Sequence, residues 1–409
     1  MLSDRLTPGG SMVDAFGRLR ISPPHTLFDS SHRYQDNGKW STTNTASGFI
    51  THRVNESVID MTVKTAVNAE VVRETYRVFT YQPGKSLLTM NTFVMNDDVT
   101  KTGLRQRVGF FNSNNGVFLE KLGANLYFVL RSKTTGTVVD TRVLQSNWNR
   151  DTFSGNSYST QAGINFGTGL DVTKSNILWF DVEWLGVGDV RCGFVADGRP
   201  IPAHVFHSEN VNPSTYMTTA ILPLRYEIKN TLATSSNSTL KQICSTVISE
   251  GGYEKVTPMT VVRSTSNTTI STAASFVPIL SVRLASDRLD AVIIPAQMNF
   301  FPTSTDNFEV ALIKNATLTG ASYDTSTYAN IDVDRSATAI TGGTMVRHEY
   351  VAATNQGVVP LNQPTGYNFE MQLGRTTGGV SDVLTLAARV IKTTGTGTGM
   401  GSLSFYDLT

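Results

Sequence analysis

Asp181 and Glu183, in the run ILWFDVEW, are the acidic pair whose types and spacing best suit acid–base chemistry. On a strand, a spacing of two puts both carboxylates on one face, where one as nucleophile and the other as general acid would cleave a glycosidic bond. A third carboxylate two places earlier would strengthen the pattern, but Trp179 stands there. The pair therefore reads as solvent-facing acids, and the chain as no enzyme. His204, His207 and Glu209 have the types of metal ligands. A spacing of three on a strand, however, sends the two imidazoles to opposite faces, and no further His or Cys cluster completes a set, so no metal is expected. The glycines of GTGTGMG precede no helix and lack the lysine of a phosphate loop, so no nucleotide or other cofactor is expected. Trp40, Trp148 and Trp179 are the candidates for stacking on pyranose rings beside Asn and Asp side chains.

These groups have to be held by sheets. Period-two alternation recurs almost throughout, and stretches of helical period are scarce. In ILWFDVEW the side chains Leu178, Phe180, Val182 and Trp184 fall on one face, the core face. VRCGFV resumes the alternation, Asp197 and Gly198 form a type I′ hairpin pair, and IPAHVFH returns, so three strands in a meander are expected. AEVVRETYRVF admits helix or strand, since Val72, Tyr76 and Phe79 also match helical spacing, and its β-branched content and its neighbours favour strand. Pro278 and Pro295 interrupt strand text and mark edges or bulges. TTGTGTGMG reads as a flexible connector before a last strand. Cys192 and Cys244 are the two cysteines, too few for a disulfide framework, and both read as buried thiols.

With 34 basic and 33 acidic residues and no basic stripe, nucleic acid is not an expected partner. No apolar run approaches the roughly 20 residues of a bilayer span, and MLSDRLTPGG lacks the features of a signal peptide, so synthesis in a cytosol without membrane insertion is expected. One stretch stands apart: DAFGRLRISPPHTLFDSSHRYQDNGKW carries arginines and aromatics with no periodic apolar face. Such a segment gains order by lying on another surface, and Arg and aromatic side chains supply much interface energy. Phe16, Arg18, Arg20, Phe28, Arg33 and Tyr34 are the expected docking residues.

The phrases DAFGRLRIS, TLFDSSHRYQDNG, YQPGKSLL, LRQRVGFF, WLGVGDVRCGFV, LPLRYEIKN and CSTVISEGGYE resemble virion structural proteins of tailed bacteriophages, especially those of aquatic bacteria, over most of residues 13 to 254. ILWFDVEWLGVGDVRCGFVADGR is similar in pattern to concanavalin-like jelly rolls. ILSVRL, AVIIPAQMNFF and FEVALIKNATLTG resemble sandwich modules of such virion proteins. The expectation is an all-β chain of two β-sandwich, jelly-roll-like domains preceded by an extended N-terminal arm: a docking arm over 1–36, a concanavalin-like sandwich over 37–254 and a smaller sandwich over 255–409. The resemblance implies a place in the virion, in the tail and attachment apparatus or on the head. The leading expectation is a structural protein that docks on other virion proteins and assembles with further copies of itself, with a trimer as the first expectation. A host-surface glycan binder is the alternative, and a glycan depolymerase using Asp181 and Glu183 the third reading.

Overall fold

In the computed structural model the residues described are 22–96, 101–155, 169–254, 257–271, 275–352, 358–360, 371–392 and 395–409. The alternation around Leu178 becomes the strand Asn176–Val182, and the expected meander follows as Val190–Ala196 and Arg199–Phe206. Asp197 and Gly198 take φ of 49° and 71°, the left-handed pair that a type I′ turn requires. AEVVRETYRVF contains the strand Glu70–Thr75. Strand registers shift at Pro278 and at Pro295, where each proline removes a ladder donor.

An eight-stranded sheet runs in the order Arg199–Phe206, Val190–Ala196, Asn176–Val182, Leu87–Asn96, Ser238–Ser249, Val58–Val63, Gly48–Arg53, with His25–Ser30 also pairing Ser238–Ser249. A seven-stranded sheet faces it, in the order Val139–Leu144, Asn125–Ser132, Gly116–Leu122, Leu104–Phe111, Leu224–Asn230, Glu70–Thr75, Trp40–Thr45. Their inward side chains, among them Phe93, Phe110, Phe128, Phe180, Phe194 and Tyr226, form one large core. A second sandwich pairs a five-stranded sheet, built on Ile293–Pro302 and Thr396–Asp407, with a six-stranded one running from Tyr323–Asp324 to Thr344–Val351. The chain is thus all-β and built of sandwiches, as its patterning implies.

The segment read as a separate arm is in part a piece of the first sandwich. His25–Ser30 pairs with Ser245–Ser249 as a strand, and Phe28 lies in the core against Trp40 and Phe79. Asp36 reaches between the sheets to the buried Arg73. Phe16, Arg18 and Arg20 lie outside the described residues.

Two other expectations need correction. Cys192 is buried, but Cys244 is exposed, because the register of Ser238–Ser249 shifts beside it, between Gln242 and Ser245. The glycine run is no loose connector, since residues from Thr396 onward are a strand. A Cβ on Gly397, Gly399 or Gly401 would meet Phe308, Phe300 or Leu386 at 2.8, 2.3 and 2.5 Å. Glycine at every second place on one face therefore leaves room for core rings. Gly399→Val is expected to cost about 1–3 kcal/mol through overpacking against Phe300, read as a lower urea midpoint with unchanged slope.

The two sandwiches meet along a bonded seam. The Gln372 side chain donates to Val78 O at 3.0 Å, and the amides of Arg375 and Thr377 donate to Tyr76 O and Ser41 Oγ, each at 2.9 Å. A Cβ at Gly374 would sit 2.7 Å from Tyr76 O, so a side chain there would force the seam apart. Val292 and Ile294 of the second sandwich join the core cluster of the first.

Candidate functional site

Beside this seam lies a cleft of about 510 Å³, within the range of small-ligand sites. Its walls include the rings of Tyr81, Trp184 and Tyr253, with Ile221 and Leu408 as apolar neighbours and Gln82 and Lys85 among the polar ones. Trp184 follows the strand Asn176–Val182 on a tight loop. Gly188 N–H donates to Trp184 O at 2.8 Å, Glu183 N–H to Asp189 O at 3.1 Å, and Gly186 takes a φ of 83°. The loop sets the indole edge-on to Tyr81, with centroids 6.0 Å apart at 82°. Gln82 is fixed from both sides, donating to Glu254 O at 2.5 Å and accepting from Glu254 N–H and Lys85 Nζ, each at 3.0 Å. The Trp184 indole N–H has no hydrogen-bond partner among the described residues. Tyr81 and Tyr253 are buried and back the cleft, so the half-buried Trp184 indole is the ring that can meet a ligand. Beside an amide and an ammonium it suits one with apolar C–H faces and hydroxyl edges.

The tryptophans chosen from the sequence do not line this cleft. Trp40, Trp148 and Trp179 are 3, 4 and 7% exposed, and their N–H groups donate internally to Ser30 Oγ, Val143 O and Phe194 O. Rings so buried cannot stack on a sugar. The fourth tryptophan, Trp184, is the one on the cleft, and its sequence signal was its place at a strand end before two glycines.

Asp181 and Glu183 are not brought together as a reactive pair. The Asp181 carboxylate is buried between the Arg191 guanidinium, at 2.6 Å, and the Ser86 hydroxyl. Glu183 lies beyond the strand end and is exposed. His204 and His207 separate as well. His204 is buried and accepts from Asn149 N–H at 3.3 Å, with its pKa lowered to about 4 by burial and then by the nearby His207. His207 instead joins Asp189, at 3.0 Å, and Glu209, at 3.9 Å. Val190 and Phe206 are register partners, so Asp189 and His207 occupy the next rung. Asp189, His207 and Glu209 offer ligand atoms within 4.8 Å of one another, and these are the side chains that could hold a divalent ion. Burial, with a hydrogen bond to Glu209, raises the Asp189 carboxyl above its ordinary range. Asp189 escaped sequence reasoning because its link to His207 is set by strand register.

Of the expected docking residues that are described, Phe28 is core, whereas Arg33 and Tyr34 are exposed, with the guanidinium 5.0 Å from the ring centroid.

The outer face of the seven-stranded sheet is broad, but its charges already satisfy one another. Glu120 accepts from Arg107 and Arg142, each at 2.7 Å, and Glu227 accepts from Arg105 at 2.7 Å and Arg225 at 3.0 Å. Guanidiniums of Arg107, Arg131 and Arg225 lie over Phe118 or Phe111. A ligand there would have to displace paired charges, so the seam cleft is the better site.

No known protein family matches the chain, and no curated protein matches its sequence. Among solved structures it is similar to endo-β-1,4-glucuronan lyase from the fungus Trichoderma reesei, at 10% identity and a TM-score of 0.38 over 55% of this chain and 95% of that one. It is also similar to the CBM2 module of the evolved Dit of Lactobacillus casei BL23 phage J-1, at 5% identity and a TM-score of 0.35 over 57% and 100%. Arcelin-5, a lectin-like defense protein from Phaseolus vulgaris, aligns at 10% identity and a TM-score of 0.33 over 56% and 99%.

Proposed function

We propose that this chain is a non-enzymatic structural and attachment component of a tailed-phage virion, a β-sandwich body that binds a surface saccharide in the cleft beside its seam. The observation that carries the reading is the cleft itself, about 510 Å³, with the half-buried Trp184 indole, a fixed amide and an ammonium on its walls and the buried Tyr81 and Tyr253 rings behind them. The engagement of Asp181 by Arg191 and Ser86 supports binding over cleavage. The resemblance of residues 13 to 254 to virion proteins supports the particle setting, with the N-terminal residues as the link to neighbouring proteins.

The test is calorimetric titration of the full chain with fragments of host-surface polysaccharide. Trp184→Ala is expected to weaken binding by more than about tenfold, as truncation of a central aromatic anchor does, in a protein that loses some stability with the core contact but is still folded at the titration temperature. No saccharide affinity in the unaltered chain would refute the binding role. Antibody against the chain that failed to label intact particles would refute the virion setting.

A further inference from the structure

Sheet edges expose unpaired backbone groups, and most long-lived folds cover or blunt them. Several edges here are covered. Arg199–Phe206 is capped by residues 149 and 150: Asn149 exchanges hydrogen bonds with Val205, each at 2.9 Å, and Arg150 N–H donates to Ala203 O at 3.0 Å. Trp40–Thr45 is met by Thr377 from the second sandwich. In the six-stranded sheet one end is Tyr323–Asp324, only two residues long.

The other end differs. Thr344–Val351 has eight residues, and among the described residues it pairs on one side alone, with Phe308–Lys314. It also carries apolar side chains into solvent, Met345, Val346 and above all Tyr350, which is 71% exposed. A bulge at Val346, where Leu312 pairs with Arg347 and Ile313 with Met345, bends the leading end and leaves Arg347–Val351 regular.

The charge pattern names the occupant. Arg347 and Glu349 flank His348 on one face of the strand and bond each other at 2.7 Å. In an antiparallel two-fold centred on His348, Arg347 of each copy stands opposite Glu349 of the other, and Tyr350 stands beside Val346. Centring on Arg347 or on Glu349 would instead oppose like charges. An edge kept single by repulsion would carry charges of one sign, whereas this one is complementary to itself.

We propose that Thr344–Val351 is a self-association edge, joining two copies of this chain through antiparallel pairing centred on His348. The pairing would continue the six-stranded sheet across the two-fold axis. It gives a closed dimer as the building unit, in place of the trimer that the sequence suggests, and it is independent of the cleft.

The experiment is sedimentation of the full chain over a concentration series, with a cross-linking arm. The expected result is reversible formation of a species of twice the 44.5 kDa chain mass. Arg347→Glu should weaken it by at least about tenfold through like-charge opposition, and the swap Arg347→Glu with Glu349→Arg should restore it. In a Cys244→Ser background, His348→Cys should form a disulfide-linked dimer on mild oxidation, whereas a cysteine at the exposed Val380 should not. Monomer at every concentration would overturn the proposal, as would an oligomer indifferent to Arg347→Glu. If Arg347→Glu fails to fold, cross-linking at position 348 decides, and its absence counts against the edge.

Discussion

Asp36→Ala is expected to lower the unfolding free energy by about 3–5 kcal/mol, the cost of leaving a buried charge without its partner. Arg73 sits on the inward face of Glu70–Thr75 with its side chain 0% exposed. Its guanidinium donates to Asp36 Oδ1 and Oδ2 at 2.8 and 2.9 Å, to Gln242 Oε1 at 2.7 Å and to Thr42 Oγ1 at 2.7 Å. Asp36 is the one carboxylate in that set; the alanine variant leaves a cation between two sheets with neutral acceptors. Burial pushes the Asp36 carboxyl up, but the hydrogen bonds and charge of Arg73 outweigh it and hold the group below its ordinary value. The double variant Asp36→Ala with Arg73→Met separates this cause from simple loss of packing. It should be more stable than Asp36→Ala alone, because the orphaned charge goes with its partner. Urea unfolding of the three proteins is the measurement. A loss under about 1 kcal/mol in the single variant would place the pair among ordinary surface ion pairs and refute the argument.

A bulge in the strand just before Asp36 explains why the N-terminal stretch looked structureless. Thr26 pairs with Ile248 and Phe28 with Val247, so Leu27 is an inserted residue, and Leu27 and Phe28 are both buried. A bulge of this kind breaks period-two alternation, and no periodic face was there to be read. What the sequence does carry is local: the inward set Leu178, Phe180 and Val182, the Asp197–Gly198 turn, and the ladder breaks at Pro278 and Pro295. What it hides depends on partners distant along the chain. Trp179 alternates outward from the core yet is covered, because its register partner is Gly193. A Cβ there would lie 2.5 Å from the indole, so the absence of a side chain opens the slot that the ring fills. The seam cleft draws on residues from Tyr81 to Leu408, and no spacing rule reaches across that separation. The glycines from 397 to 401 show the same limit, since a run that reads as flexible is rigid once Phe300 and Phe308 fill the space beside it.

Acidification is expected to destabilise the protein in two stages, and His32 governs much of the first. The ring is fully buried, with Nδ1 3.6 Å from Asp36 Oδ1, and its pKa is lowered to about 4 by burial first and by the Arg73 charge second. An unfolded histidine takes its proton near pH 6.5, so between about 6.5 and 4 the unfolded chain binds more protons than the folded one. Stability therefore falls as pH drops through that window, by at most about 3 kcal/mol for His32, and His204 acts in the same direction. The second stage belongs to carboxylates held ionised. Burial alone would raise Glu227, but Arg225, Arg107 and Arg105 bring it down to about 2. Its contribution is fully present above the ordinary glutamate range and is lost as pH falls through about 2, with Asp36 following the same sign. His32→Phe keeps a ring in the site and removes the titration. Urea midpoints at about pH 7.5, 5.5 and 4.5 should fall less steeply in that variant than in the parent, while the decline below the carboxylate range remains. Equal slopes in the two proteins down to pH 4.5 would show that His32 takes up its proton without unfolding, and the buried neutral ring would lose its place in the acid response.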